Sequence, residues 1–170
     1  MKLKKLDIGI ILLSHEFFED VESIMPLIDM RIPILKIGYD LINSTKETFV
    51  LVNDTKSYEQ ISPIIFDISS QMKTKTKIYD MDPIGDEIKN DLIDHFEFLA
   101  KIFNQKIEVI TNEKNPIREL KKQENMLQIM PLKKDMFNKR YFYDFFYTNS
   151  DLLSFDMKKY NQLLIPIVEE

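Results

Sequence analysis

The stretch TFVLVNDTKSYEQISPIIFDISSQMKTKTKIYDM, Thr48–Met81, decides the fold. Thr48–Val52 is a continuous run of β-branched and aromatic residues, the pattern of a strand buried on both faces. Ser57 is suited to cap a helix, and Ile61, Ile64, Ile65, Ile68 and Met72 then follow the 3.6-residue period. Pro63 is expected in the early turns of that helix, where a missing N–H costs least. Lys77–Met81 reads as the next strand. Two buried strands joined by an amphipathic helix make a parallel βαβ unit with a right-handed crossover.

The same alternation extends both ways. Upstream, Ile8–Leu13 and Ile32–Ile37 read as strands around a helix from Glu16 to Met30, and Gly38 ends the second strand. Downstream, Asp86–Asn104 is a long amphipathic helix, Lys106–Thr111 a strand, and Asn115-Pro116 a cap followed by a first-turn proline. That helix is short, Ile117 to about Lys122. Met126–Leu132 and Gln162–Val168 complete the strands, with an aromatic-rich segment between them. The sequence therefore predicts a doubly wound α/β fold with a mostly parallel sheet in three α/β/α layers.

Composition narrows the chemistry. The chain has 170 residues, is 44% hydrophobic, and carries no cysteine, no tryptophan and three glycines. Without cysteine there is no disulfide frame, no thiolate zinc site and no thiol nucleophile. Gly9, Gly38 and Gly85 lie too far apart to form a phosphate-cradling loop. A net charge of −5, with basic residues in short clusters, argues against nucleic acid as a partner. The N-terminal MKLKKLDIGIILLSHEFF lacks the length and the small-residue site of a signal peptide. No apolar window is long enough to span a membrane, so a cytoplasmic protein is expected.

Two pieces of the chain echo each other. IGIILLSHEFFED and RIPILKIG (Ile8–Gly38) resemble MLQIMPLKKDMFNK and NQLLIPIVE (Met126–Glu169) in order, each with a second strand that reads Ile-Pro-Ile-aliphatic. This divides the chain into residues 1–45, the closing strand–helix–strand of a preceding α/β unit, and residues 46–170, a complete unit.

FVLVNDTKSYEQ resembles the first strand and turn of a universal stress protein domain, with Asp54 and Ser57 at that family's nucleoside-side positions. KIEVIT, NPIRELKK and MLQIMPL resemble its third strand, short helix and fourth strand. LDIGIILLS, IPILKIG, DHFEFLAKIFNQKIEVI, NPIREL and LLIPIVE are similar to the C-terminal region of bacterial TrkA-N-containing proteins related to potassium-transport and channel regulators. The resemblance implies a non-enzymatic regulatory or interaction domain without a cofactor. Its partners would be a second copy, in a dimer, or upstream TrkA-N and TrkA-C domains. ATP-binding universal stress proteins carry Gly-x-x-Gly and then Gly-Ser/Thr after the fourth strand. Here PLKKDMFNKRYFYDFFYTNSD, Pro131–Asp151, has no glycine, and a Cβ keeps backbone amides away from phosphates. Thr148, Asn149 and Ser150 offer hydroxyl and amide contacts instead. An adenine-nucleotide sensor is the alternative reading.

Asp80 and Asp82 follow a strand end, where ligands of open α/β sheets bind. Asp-x-Asp there suits magnesium, as in haloacid-dehalogenase phosphatases, but Ile84 replaces the Thr or Val expected after the pair. A turn before Pro83 explains the same carboxylates. His15 and His95 are too far apart in sequence to suggest a metal site. Serines 14, 57, 69 and 150 lack a nucleophile elbow. Arg140, Tyr141, Phe142, Phe145 and Phe146 form an aromatic run fit to cover the core, anchor an interface or stack on a planar ligand.

Overall fold

The computed structural model describes residues 9–19, 21–52, 55–80, 86–110, 118, 120–134 and 158–167. Seven strands form one sheet: β1 (Ile11–Ser14), β2 (Ile34–Ile37), β3 (Glu47–Val52), β4 (Lys75–Asp80), β5 (Ile107–Ile110), β6 (Met126–Leu132) and β7 (Asn161–Pro166). Among the described residues, three α-helices have both ends in view: α1 (Val21–Asp29), α2 (Thr55–Met72) and α3 (Asp86–Ile102). The spatial order is β1-β2-β7-β6-β3-β4-β5. β2 and β7 pair antiparallel, and the other neighbours pair parallel. The doubly wound, mostly parallel α/β architecture expected from the sequence is the one observed.

Strand alternation divides the core between two faces. On the first face, Val50, Val52, Ile78, Leu127, Ile129 and Leu163 pack against Tyr58, Ile61, Ile65 and Phe66 of α2 and Leu92, Phe96 and Leu99 of α3. On the second face, Ile34, Met130, Leu132 and Leu164 meet Phe18 and Ile24 and Ile28 of α1. Phe49, Leu51, Tyr79 and Met126 gather there with Leu120 and Tyr160.

Local chemistry adjusts several sequence expectations. The helix read from Glu16 to Met30 is a short 3-10 segment, His15–Glu19, followed by α1. α2 begins at Thr55, so Ser57 lies buried in its first turn rather than capping it. Pro63 consequently falls deep inside α2. It has no N–H to give the carbonyl of Glu59, four residues back. The Ser62 hydroxyl donates to that carbonyl at 2.8 Å. It in turn accepts from His95 Nε2 of α3 at 2.6 Å. A buried serine thus repairs the proline's missing bond, and His95 serves as a bridge between the two helices.

The two Ile-Pro-Ile motifs do not occupy matching positions. Ile32-Pro33 precedes β2, whereas Ile165-Pro166 ends β7. What repeats is the arrangement of strands. β1·β2 and β6·β7 are parallel pairs set back to back across the antiparallel β2·β7 junction.

Candidate functional site

In the order β7-β6-β3-β4-β5, the chain leaves β3 in one direction through α2 and reaches β6 on the other side. β3 and β6 therefore flank the topological switch point, where open α/β sheets bind ligands beyond the carboxyl ends of their strands. The ladder between them is short. It joins Glu47, Thr48 and Phe49 to Met126, Leu127 and Gln128 and then stops. By contrast, β3·β4 and β6·β7 are each in register over six positions.

Pro131 explains part of this. Leu132 accepts from Ile167 N on the β7 side, so the alternating backbone turns Pro131 toward β3. It has no N–H to offer there. The early end of the β3·β6 ladder is thus written in part into the sequence, by a proline inside a buried strand, a signal the apolar pattern concealed.

The sequence-predicted residues fall unevenly around this edge. Asp80 closes β4, in register with Val52. Ser57 stands in the first turn of α2, buried. β3, β4 and α2 thus bring the backbones of Ser57 and Asp80 to the same carboxyl edge. Asp54, Asp82 and Ser150 lie outside the described residues, as do Arg140, Tyr141, Phe142, Phe145 and Phe146. Lys133, directly after β6, is buried at this end of the strand.

A second feature escaped the sequence reading. Lys36, Gln162 and Gln128 form one row across β2, β7 and β6, and all three are buried. Gln162 Nε2 donates to Gln128 Oε1 at 2.5 Å, and the Lys36 ammonium lies 5.4 Å from the centre of the Phe18 ring. Lys36 and Gln128 each interrupt an otherwise apolar strand, and that interruption was the available clue.

The opposite, amino edge of the sheet is closed by hydrogen bonds. Thr48 Oγ1 meets Ser69 Oγ at 2.7 Å and Thr76 Oγ1 at 3.2 Å, and Thr76 Oγ1 reaches Gln105 Oε1 at 3.0 Å. Asn161 accepts from Gly38 N at 3.0 Å and donates to Asp40 O at 2.9 Å. Tyr160, buried beside these groups, has its hydroxyl pushed above the usual tyrosine range, by burial first and then by Asp40.

A groove of about 370 Å³ opens at this edge, lined in part by Lys73, Lys75, Phe103, Asn104 and Lys106. α2 and α3 end there with their negative dipole ends, which its lysines offset. Lys75 is also held by Glu108 at 2.5 Å. The groove is therefore a poor anion site, and the carboxyl edge at the β3·β6 switch point is the better candidate.

Among the described residues, no three or more His, Asp or Glu side chains gather as a metal site. No described helix is long and apolar enough to cross a membrane.

The order of five parallel strands around a central switch point, with α2 and α3 on one face, defines a universal stress protein-like α/β fold. The comparison of structures agrees. A candidate universal stress protein from Pseudomonas aeruginosa UCBPP-PA14 superimposes with a TM-score of 0.55 at 11% identity, over 92% of this chain and 63% of that one. This chain therefore spans less than two thirds of the length of that neighbour. No protein-family model matches the sequence, and no curated protein does.

Proposed function

We propose that the chain is a non-enzymatic regulatory and interaction domain on a universal stress protein-like scaffold. The observation that carries this reading is the segment after β6. Between Leu132 and Tyr160 the sequence contains no glycine, although it leaves the strand that borders the switch point. Backbone amides of non-glycine residues cannot approach a phosphate as closely as those of a glycine loop. Of the three glycines, Gly38 is committed elsewhere: a Cβ on it would lie 2.3 Å from the Tyr160 carbonyl oxygen.

In this reading residues 1–45 are the closing part of a preceding α/β unit. The domain works by association, with a second copy or with TrkA-N and TrkA-C domains of a potassium-transport regulator. The test is a thermal-shift titration with ATP, AMP, cyclic dinucleotides and NAD, and the expected result is no saturable shift. A ligand at a hundredfold excess over its Kd would add about 2.7 kcal/mol, which such a titration resolves.

The second reading is an adenine-nucleotide sensor. It is favoured by the truncated β3·β6 ladder and the carboxyl-edge positions of Ser57 and Asp80. A saturable shift abolished by Asp54→Ala would install it in place of the first. Magnesium-dependent phosphatase activity lost in Asp80→Asn would displace both.

A further inference from the structure

Each of the five parallel strands β7-β6-β3-β4-β5 is entered through a connection that carries lysine. Lys158 and Lys159 precede β7, Lys121 and Lys122 precede β6, and Lys46, Lys73 and Lys106 precede β3, β4 and β5. They are scattered in sequence but meet at the amino edge, because these strands are neighbours in the sheet. The connections are also bonded to one another. Asp40 N donates to Lys159 O, Lys46 N to Asn125 O, Lys75 N to Lys46 O and Thr76 N to Lys106 O. The result is one continuous rim, on which every one of these lysines except the half-buried Lys159 is exposed.

The rim is basic in a chain whose net charge is −5. Against seven lysines, residues 38–46, 73–74, 103–106, 120–125 and 158–160 hold two acids, Asp40 and Glu124. Glu19 holds Lys158 at 3.0 Å, and Glu124 stands 3.8 Å from Lys159. Lys75 and Glu108 cancel each other. The carboxyl ends of α2 and α3 offset about one further charge. The excess therefore lies over β6, β3, β4 and β5.

The same rim exposes large apolar side chains. Tyr39, Leu41 and Ile42 are 69%, 71% and 43% exposed, on a backbone that is pinned from several sides. Tyr39 N donates to Lys158 O, the Asp40 carboxylate accepts from Asn125 N, and Asp40 O accepts from Asn161 Nδ2. Ser44 N and Oγ both reach Leu41 O. Asn125 and Asn161 belong to the β6 and β7 side of the β2·β7 junction, so this surface does not depend on what precedes β1. Apolar side chains held in water by a fixed loop mark a binding surface.

We propose that the amino rim docks on an anionic lipid bilayer, with Leu41 and Ile42 entering the headgroup layer and the lysines facing the lipid anions. The lysines span five strands, about 20 Å, which is too wide to converge on one small anion and suits a plane of anions. Lysine is a hydrated point charge without the rigid fork of arginine, so the rim answers to a field of charge rather than to one phosphate geometry. A nucleic acid would meet the lysines but leave Leu41 and Ile42 in water, whereas a bilayer takes up both. The acidic remainder of the chain is repelled by the same membrane, which orients the molecule with this edge down.

The proposal goes beyond the function given above, and it stands or falls whatever the nucleotide titration shows. The experiment is flotation of the whole chain with phosphatidylcholine vesicles, with and without about one-third phosphatidylserine. Lys121→Glu and Leu41→Ser alter the rim. Lys134→Glu, an exposed lysine after the carboxyl end of β6, and Phe98→Ser, 60% exposed on α3, are the matched controls. Flotation is expected only with phosphatidylserine, and less in about 0.5 M than in about 0.1 M salt. Affinity should fall at least about fivefold in Lys121→Glu and in Leu41→Ser, and stay at the wild-type value in both controls. Amide exchange across residues 39–46 should slow on the phosphatidylserine vesicles, which reads the surface without any substitution. No flotation with phosphatidylserine overturns the proposal, as does equal flotation on phosphatidylcholine alone. So does unchanged exchange across residues 39–46, or a loss in Lys134→Glu as large as that in Lys121→Glu. Heparin binding that survives Leu41→Ser, without flotation, overturns it too and assigns the lysines to a soluble polyanion.

Discussion

The two edges of this sheet are built differently. At the amino edge, side chains and backbone close on each other: Thr48, Ser69, Thr76 and Gln105 form one chain of hydrogen bonds, buried at all but Gln105, and Gly38, Asn161 and Asp40 form another. At the carboxyl edge the β3·β6 ladder stops after three positions and Pro131 keeps it from resuming. A closed edge fixes strand register, while an edge left open at a switch point leaves room for recognition. The difference sets a sealed part of the sheet against an open one.

The sharpest way to break the closed edge is Gly38→Ala. The new Cβ would meet the Tyr160 carbonyl at 2.3 Å and Lys159 O at 2.7 Å. These are backbone atoms of one segment, which would have to shift as a whole, so a loss of about 3 kcal/mol or more is expected in urea unfolding. A loss below about 1 kcal/mol would show that β2 and β7 can slide apart.

Asn161→Ala comes next. It removes the acceptor for Gly38 N and the donor for Asp40 O at a fully buried position. The expected cost is about 2 kcal/mol by the same measurement, because polar groups are left unsatisfied.

At the open edge, Pro131→Ala should cost only about 1 kcal/mol, chiefly through the freer unfolded chain. Its amide would point at an edge where β3 offers no partner, so it should exchange rapidly with solvent. Strong protection of that amide would mean the β3·β6 ladder resumes once the proline is gone.

The smallest effect belongs to Glu108→Gln, on the rim of the closed edge. The hydrogen bond from Lys75 holds the Glu108 carboxyl below its usual range. Both side chains are 44% exposed, so the pair contributes on the order of 0.5 kcal/mol. With its value lowered in the folded state, that contribution is present above the ordinary carboxylate range and is lost as pH falls through the folded value. The wild type and the variant should therefore differ slightly at neutral pH and converge in acid, as chemical unfolding at several pH values would show.

The sequence was informative where burial leaves a periodic trace. Met126–Leu132 appears as a strand with the expected ends, and β3, β4 and α3 differ from expectation by two residues or fewer. It misled where a local rule was overridden by packing. Ser57 looked like a cap, yet α2 starts earlier. Pro63 looked confined to the helix start, yet Ser62 supplies the hydrogen bond that lets it sit deep inside. The candidate site was half legible: Asp80 and Ser57 could be placed at strand and helix ends from pattern alone. The contribution of Pro131 could not, because it depends on which neighbour each side of β6 faces.

By itself, the sequence determined the fold class, through short buried strands alternating with amphipathic helices, and it excluded thiol and disulfide chemistry, through the absence of cysteine. Tertiary structure alone decided that the first two strands join the same sheet in the opposite direction. It alone decided that a buried polar row crosses that junction and that one edge is sealed while another stands open. Periodicity records whether a residue is buried, which is a property of one position. Register, direction and edge are relations between positions far apart in the chain, and only their meeting in space makes them visible.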